Sequence, residues 1–248
     1  MKLQVILAPF LIFTHTLHAS ETTENLDKKT STHELIQLLL AQDLGTRKFA
    51  FTDVIHAATG KKIIPLNGKK PTHQLILKAV RNATKEARNE LSSPNSPIRK
   101  LRRINEASRY FETLILKKLN QHPELQCGIP INNKGNQQSS GYPDMLITHT
   151  AADGTTTHAY LDPKLFEEKS RASSLRTFYY EPRTHTNKIQ HNALHLLIGI
   201  SHDGKEGAWQ FIGSEVCDLS HFHVRLKAEF QASNRELYRK PVLLPAAE

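Results

Sequence analysis

Pro143-Asp144-Met145-Leu146-Ile147-Thr148, followed by Asp153-Gly154 and then by Thr155-Thr156-Thr157-His158-Ala159-Tyr160-Leu161-Asp162-Pro163-Lys164, is the stretch on which the reading of this chain turns. Met145–Thr148 and Thr155–Leu161 read as two short strands about a hairpin turn at Asp153-Gly154. If the turn centres on Asp153, residues equidistant from it oppose one another, and Asp144 lies across from Asp162. Opposed side chains on neighbouring strands have Cβ atoms roughly 5 Å apart. Two carboxylates that close repel unless a proton or a cation sits between them. Asp162 and Lys164 are two residues apart, so in a strand they share a face. The stretch therefore predicts two acidic oxygen donors and one ammonium at a single place. Oxygen donors of this kind favour magnesium or manganese over zinc.

Outward from the hairpin, the elements predict an α/β core. Ile104–Leu119 reads as an amphipathic helix. Leu194–Ile200 is an apolar run suited to a buried strand, Asp203-Gly204 a turn, and Trp209–Ile212 and Val224–Phe230 further strands. Helix, hairpin, strand and strand suggest a mixed sheet with helices against it. Pro163 cannot donate to a ladder, so the strand carrying it is expected to end or become irregular there. Upstream, His33–Leu44 has helical spacing, with Thr32 as its cap and Gly45 at its end, and Pro71 opens a helix running to about Leu91. Ser92-Ser93-Pro94-Asn95-Ser96-Pro97 has the composition of a linker. The expected organisation is a leader over 1–19, a mainly helical region with linker over 20–98, and the core over 99–248.

These residues resemble the PD-(D/E)xK nuclease superfamily, which includes restriction endonucleases and Holliday-junction resolvases. The resemblance rests on Pro143, Asp144, Asp162 and Lys164 with an acid on an upstream helix, and it covers about Ile104 to Tyr238. It implies a restriction-endonuclease-like core: a central mixed sheet flanked by helices, here with a helical N-terminal region. It implies a magnesium-dependent nuclease, with manganese as a substitute ion, acting on nucleic acid, DNA favoured over RNA. Asp144 and Asp162 would hold the metal with help from the Pro163 carbonyl, and Lys164 would orient or help deprotonate the attacking water. The upstream acid would be Glu112 or Glu106, binding a metal or a metal-bound water. Ile104, Ala107, Phe111, Leu114 and Ile115 form an apolar stripe that must face the sheet. Glu112 lies about 100° from its centre and Glu106 roughly 140° away, which selects Glu112.

A basic stretch follows Lys164. Arg171, Arg176 and Arg183 suit phosphates, while Phe178, Tyr179 and Tyr180 either stack on bases or tuck into the core. Lys188 and Gln190 are further substrate contacts, Gln190 by resemblance to nucleases with a glutamine on the element after the catalytic lysine. His191 and His195 have a zinc-ligand spacing if helical, but Asn192 stands where a metalloprotease would have its glutamate. No Walker-type phosphate loop or nucleophile elbow is present.

Composition supports a soluble, foldable chain: 38% hydrophobic, 23% charged, with a net charge of +9 that suits a polyanionic partner. Cys127 and Cys217 are too few for a cysteine metal site, and their pairing is open. Lys2, the apolar run Leu3–Phe13 and Ala19 read as an export signal, too short to span a membrane. Export would fit a scavenging nuclease, a competition factor or an effector better than a restriction enzyme. Two other functions compete with the nuclease: a nucleic-acid-binding protein on the same fold with a degenerate site, and an exported basic protein that binds anionic surfaces.

Overall fold

The structure, a computed structural model, describes residues 31–138, 140–175 and 177–239. The expected leader over 1–19 lies outside the described residues. The chain divides into two compact units, 1–43 and 44–248. The first contains helix α1 (Thr32–Ala41), which Ser31 caps in place of the expected Thr32. The Ser31 hydroxyl accepts from the Glu34 backbone N–H, and the Glu34 carboxylate accepts from the Ser31 N–H at 2.8 Å. This reciprocal Ser-x-x-Glu box satisfies two donors that the first turn would otherwise leave open.

The second unit is built on five strands: β2 (Leu125–Gly128), β3 (Met145–Thr150), β4 (Thr156–Glu167), β5 (Leu194–His202) and β6 (Phe211–Asp218). They lie side by side in that order. β4 and β5 run parallel, and every other neighbouring pair is antiparallel, so the sheet is mixed as expected. Strand β1 (Lys48–Ala50) pairs with β7 (His223–Arg225) in a separate two-stranded ribbon. The strand expected over Val224–Phe230 is therefore cut to a short edge piece. The one expected at Trp209–Ile212 begins two residues later, because Trp209 turns inward and donates its indole N–H to the Leu101 carbonyl at 3.1 Å.

Helices α3 (Pro71–Leu91) and α4 (Ser108–Leu119) cover one sheet face. Pro71 opens α3 because the first helical position needs no N–H. Ile76, Val80, Ala83 and Ala87 of α3 and Phe111, Ile115 and Leu119 of α4 bury against Met145, Ile147, Leu161, Leu196 and Ile198. The Phe111 ring meets Phe211 edge to face, with centroids 4.6 Å apart. The opposite face is covered by helix α2 (Phe51–Thr59), which sequence patterning missed: Phe51 and Ile55 pack on Tyr160, Ile189 and Ala193. A four-residue helix, α5 (Asn234–Leu237), follows near the C-terminus. Among the described residues no helix is long and apolar enough to cross a membrane.

One local expectation is corrected. The helix expected over Ile104–Leu119 begins as a 3-10 turn at Ile104–Ala107, and only Ser108 onward is α-helical. Ser92–Pro97 lies inside one compact unit, and Ala87 and Leu91 before it share a core with Ile98 and Phe111 after it. The two cysteines lie on β2 and β6, the opposite edges of the sheet, and both are free thiols. Four strand spacings of about 4.8 Å separate those edges, far beyond disulfide reach.

Candidate active site

The hairpin register decides the site. Met145 pairs with Leu161, Ile147 with Ala159 and Thr150 with Thr156, so every pair is equidistant from Asp153. Gly154, at a φ of 83°, supplies the left-handed turn residue. Extended by one position, this register brings Asp144 to Asp162. The Asp144 N–H donates to the Leu161 carbonyl at 3.2 Å, which ties the Pro143-Asp144 step to β4.

Pro163 does not end the strand. β4 continues to Glu167, paired with β5 all the way from Ala159–Leu194 to Glu167–His202. The backbone polar groups of a strand alternate between its two neighbours. The Leu161 carbonyl faces β3, so Pro163, two residues on, faces the same side at a level where β3 has already ended. Its missing N–H therefore costs no ladder bond, and by the same alternation its carbonyl faces the gap beside Asp144.

Asp144, Asp162 and Lys164 converge there. The Lys164 ammonium Nζ lies 2.5 Å from Asp162 Oδ2 and 3.8 Å from Asp144 Oδ2. Asp162 is 1% exposed, and neither of its side-chain oxygens has a hydrogen bond of good geometry. A buried carboxylate left in that condition is costly unless a charge satisfies it. Burial, and next the neighbouring Asp162, push the Asp144 carboxyl up to about 8. Burial acts to depress the Lys164 ammonium, but Asp162 and then Asp144 outweigh it and hold it above its ordinary value. The site is thus a net acidic cluster compensated by one cation. Among the described residues no three His, Cys, Asp or Glu side chains gather closely enough to enclose an ion by themselves.

Glu112 belongs to this electrostatic neighbourhood and Glu106 stands apart. Burial raises the Glu112 carboxyl, while Lys164 and Lys188 pull it down and Asp162 adds to the rise. Glu106 lies on the 3-10 turn and is exposed.

The expected substrate contacts sort differently. Lys188 is buried, and its ammonium donates to the carbonyls of Gln138 and Gly141 at 3.1 and 2.5 Å. It clasps the loop leading into Pro143-Asp144 from inside, at a position expected from the sequence to contact substrate. Burial depresses its ammonium, opposed by Asp144, Asp162 and Glu112. The Gln190 side chain donates to the Ile131 carbonyl at 2.9 Å. Arg171 is exposed, pairs with Glu215 and rests over the Phe166 ring, while Arg183 pairs with Glu181 at 2.6 Å. Exposed pairs of this kind contribute little, so either arginine can exchange its carboxylate for a phosphate. Arg176 lies outside the described residues. Phe178 and Tyr180 tuck against Phe51, whereas Tyr179 stays exposed.

A pair that sequence reading missed lies beneath the acids. The Tyr142 hydroxyl and His195 Nδ1 are 2.7 Å apart, and both residues are buried. Burial drives His195 down to about 3, so it is neutral. A histidine inside the apolar run Leu194–Ile200 was the available signal. His191 stacks on His158 with ring centroids 3.9 Å apart, and His195 lies on strand β5, so the helix that the four-residue spacing required is not formed.

Fold and site define a class: a mixed-sheet α/β protein that sets two carboxylates and a lysine on one face of its central strands. Residues 44–241 match the Type II restriction enzyme MjaV family, and the chain belongs to that family. It is 30% identical over 224 residues to the Type II restriction enzyme MjaV of Methanocaldococcus jannaschii, an alignment covering 86% of this chain and 96% of that protein.

Proposed function

We propose that this protein is a magnesium-dependent DNA endonuclease of the PD-(D/E)xK kind, with a restriction-endonuclease-like core. The observation that carries the reading is the convergence of Asp144, Asp162 and Lys164 at the place where β3 ends, with both Asp162 oxygens buried and short of hydrogen bonds. The family and the named relative support DNA over RNA.

Asp144 and Asp162 would hold the ion, with the Pro163 carbonyl beside them and Glu112 acting through a bound water. An ion held there would supply polarisation of the scissile phosphate and a lowered pKa for an attacking water. Lys164, held protonated by the two acids, donates to the phosphate or orients the water and balances charge as the bond breaks. Lys188 keeps the Gln138–Gly141 loop closed and so fixes the approach to Asp144. Arg171 and Arg183 grip flanking phosphates by exchanging their carboxylate partners. For residues 1–19 we retain the export reading as a separate proposal.

The protein incubated with plasmid DNA cuts in the presence of magnesium or manganese and stops in excess chelator. Full activity in chelator would remove the metal mechanism. A second comparison tests the upstream acid. Glu112→Gln lowers the cleavage rate at least tenfold, about 1.4 kcal/mol in the barrier, because it removes a charge from the cluster. Glu106→Gln changes little. Rates of the two folded variants, measured side by side, decide it: a large loss in the Glu106 variant alone would reverse the assignment.

A further inference from the structure

The basic character of the chain has a location. On α3, Lys78, Arg81, Lys85 and Arg88 recur at intervals of three and four residues, which places them along one side of the helix. Arg81, Lys85 and Arg88 line a groove of about 530 Å³ whose other wall is the outer edge of β6, including Glu215 and Cys217. Arg81 and Lys85 are exposed, and Arg88 is half-buried. None of the three has a carboxylate partner among the described residues, although acids are near. Glu215 is taken by Arg171, and Glu86 and Glu90 are taken by Lys118, each at 3.2 Å. Like charges three and four residues apart cost a helix a few tenths of a kcal/mol per pair. An unpaired row of them is poor local design unless an anion lies along it.

Sheet register relates this groove to the acids. Asp162 is level with Leu197 of β5, which is level with Cys217 of β6, and Lys164, Gly199 and Glu215 form the next row. Residues level with one another on neighbouring strands share a face. Two strand spacings, about 10 Å, separate each acid-site residue from its β6 counterpart. Gly199, in the middle of its row, is covered by the Phe166 ring, 3.3 Å from where a Cβ would stand, and Arg171 lies over that ring. The β6 residues level with the acid site, Glu215 and Cys217, are therefore also residues of the groove wall.

We infer that the α3–β6 groove binds the phosphate backbone of the DNA duplex flanking the cleavage point, with Arg81, Lys85 and Arg88 as its contacts. The inference rests on the proposed reading of the chain as a DNA-cutting enzyme. Helical rise places successive cations about 4.5 to 6 Å apart along the axis, close enough for neighbouring phosphates of one strand to meet them in turn. Contacts of this kind position DNA without reading its sequence, and they release counterions.

Binding of a duplex oligonucleotide, measured in chelator so that no cutting occurs, is compared across salt concentrations for three proteins. These are the wild type, Arg81→Ala/Lys85→Ala/Arg88→Ala, and a control with the same charge loss elsewhere, Lys62→Ala/Lys69→Ala/Lys117→Ala. The groove variant binds at least tenfold more weakly at ~0.1 M salt, and its slope of log affinity against log salt flattens by roughly two to three, at about 0.9 per phosphate contact. The control keeps the wild-type slope to within about one. If the groove variant matches the wild type, or if both triples weaken equally, the groove inference is overturned while metal-dependent cutting by the wild type leaves the enzymatic reading standing. A wild type that neither binds nor cuts DNA overturns both. Should the triple variant melt early, the three single variants carry the same measurement, each expected to flatten the slope by about 0.9.

Discussion

Asp162→Asn abolishes DNA cleavage, by a factor on the order of a thousand or more, while duplex binding in chelator stays within a few-fold of the wild type. A thousandfold loss corresponds to about 4 kcal/mol of transition-state stabilisation. The substitution keeps the shape of the side chain and removes its charge. Asp162 is the most enclosed of the acids at 1% exposure, and its two oxygens have no well-formed hydrogen bonds to lose. An amide in that position presents one neutral oxygen to a hard cation and points an NH2 group at Lys164, whose ammonium is now 2.5 Å from a carboxylate oxygen. Both cation binding and the orientation of Lys164 fail together. The proposed phosphate contacts lie on other elements, so binding is expected to survive. Cleavage at the wild-type rate by a folded Asp162→Asn protein would show that the reacting centre lies elsewhere.

Asp144→Asn is expected to cost the enzyme its activity and yet make the metal-free protein more heat-stable. Burial and the adjacent Asp162 hold the Asp144 carboxyl up at about 8, well above the ordinary carboxylate range. An acid whose folded-state value is raised contributes stability that is complete below its unfolded value and is lost as pH rises through the folded one. The window therefore opens in the ordinary carboxylate range, near 4, and closes at about 8. In chelator at pH 8 the Asn variant melts at least ~5 °C above the wild type, and the gain shrinks towards zero near pH 4 to 5. Magnesium stabilises the wild type by mass action and narrows the gap at pH 8, since only the wild type offers both carboxylates. Melting curves at two pH values, with and without magnesium, test all of this. An Asn variant that melts below the wild type at pH 8 in chelator would mean that the 3.8 Å pairing of Asp144 with Lys164 outweighs the repulsion.

On the proposed reading, the acids that serve the chemistry are expected to reduce stability without an ion between them, an exchange common at functional centres. It also explains why Lys188 is buried with its ammonium on the Gln138 and Gly141 carbonyls. A second cation close behind three acids offsets part of their repulsion and at the same time closes the loop that delivers Asp144.

Much of this was legible from local pattern. The turn at Asp153-Gly154 and the two-residue period of its flanks set the register, and with it the meeting of Asp144 and Asp162, because a slip by one residue would put Met145, Ile147 and Leu161 on the wrong face. The start of α3 at Pro71 and the phase of Glu112 relative to Phe111 and Ile115 were legible for the same reason: helical and strand periods are properties of a few neighbouring residues. β2 escaped because four residues carry too little period to separate from a loop, and α2 because its nine residues make only about two and a half turns and start without a capping side chain.

What tertiary structure alone decided was which neighbour each residue would meet. Pro163 reads as a strand breaker until β3 is seen to stop short of it. Lys188 and Arg171 look alike as cations after the motif, yet one is enclosed by a loop fifty residues away and the other lies over Phe166 in solvent. Arg81, Lys85 and Arg88 are an ordinary charged helix face until β6 is packed beside them. Local sequence determined the hairpin, its register and the trio of Asp144, Asp162 and Lys164, because turn chemistry and side-chain alternation act over a few bonds. The surroundings that give the trio its charge balance come from segments far apart in the chain, and only burial of a shared core brings those together.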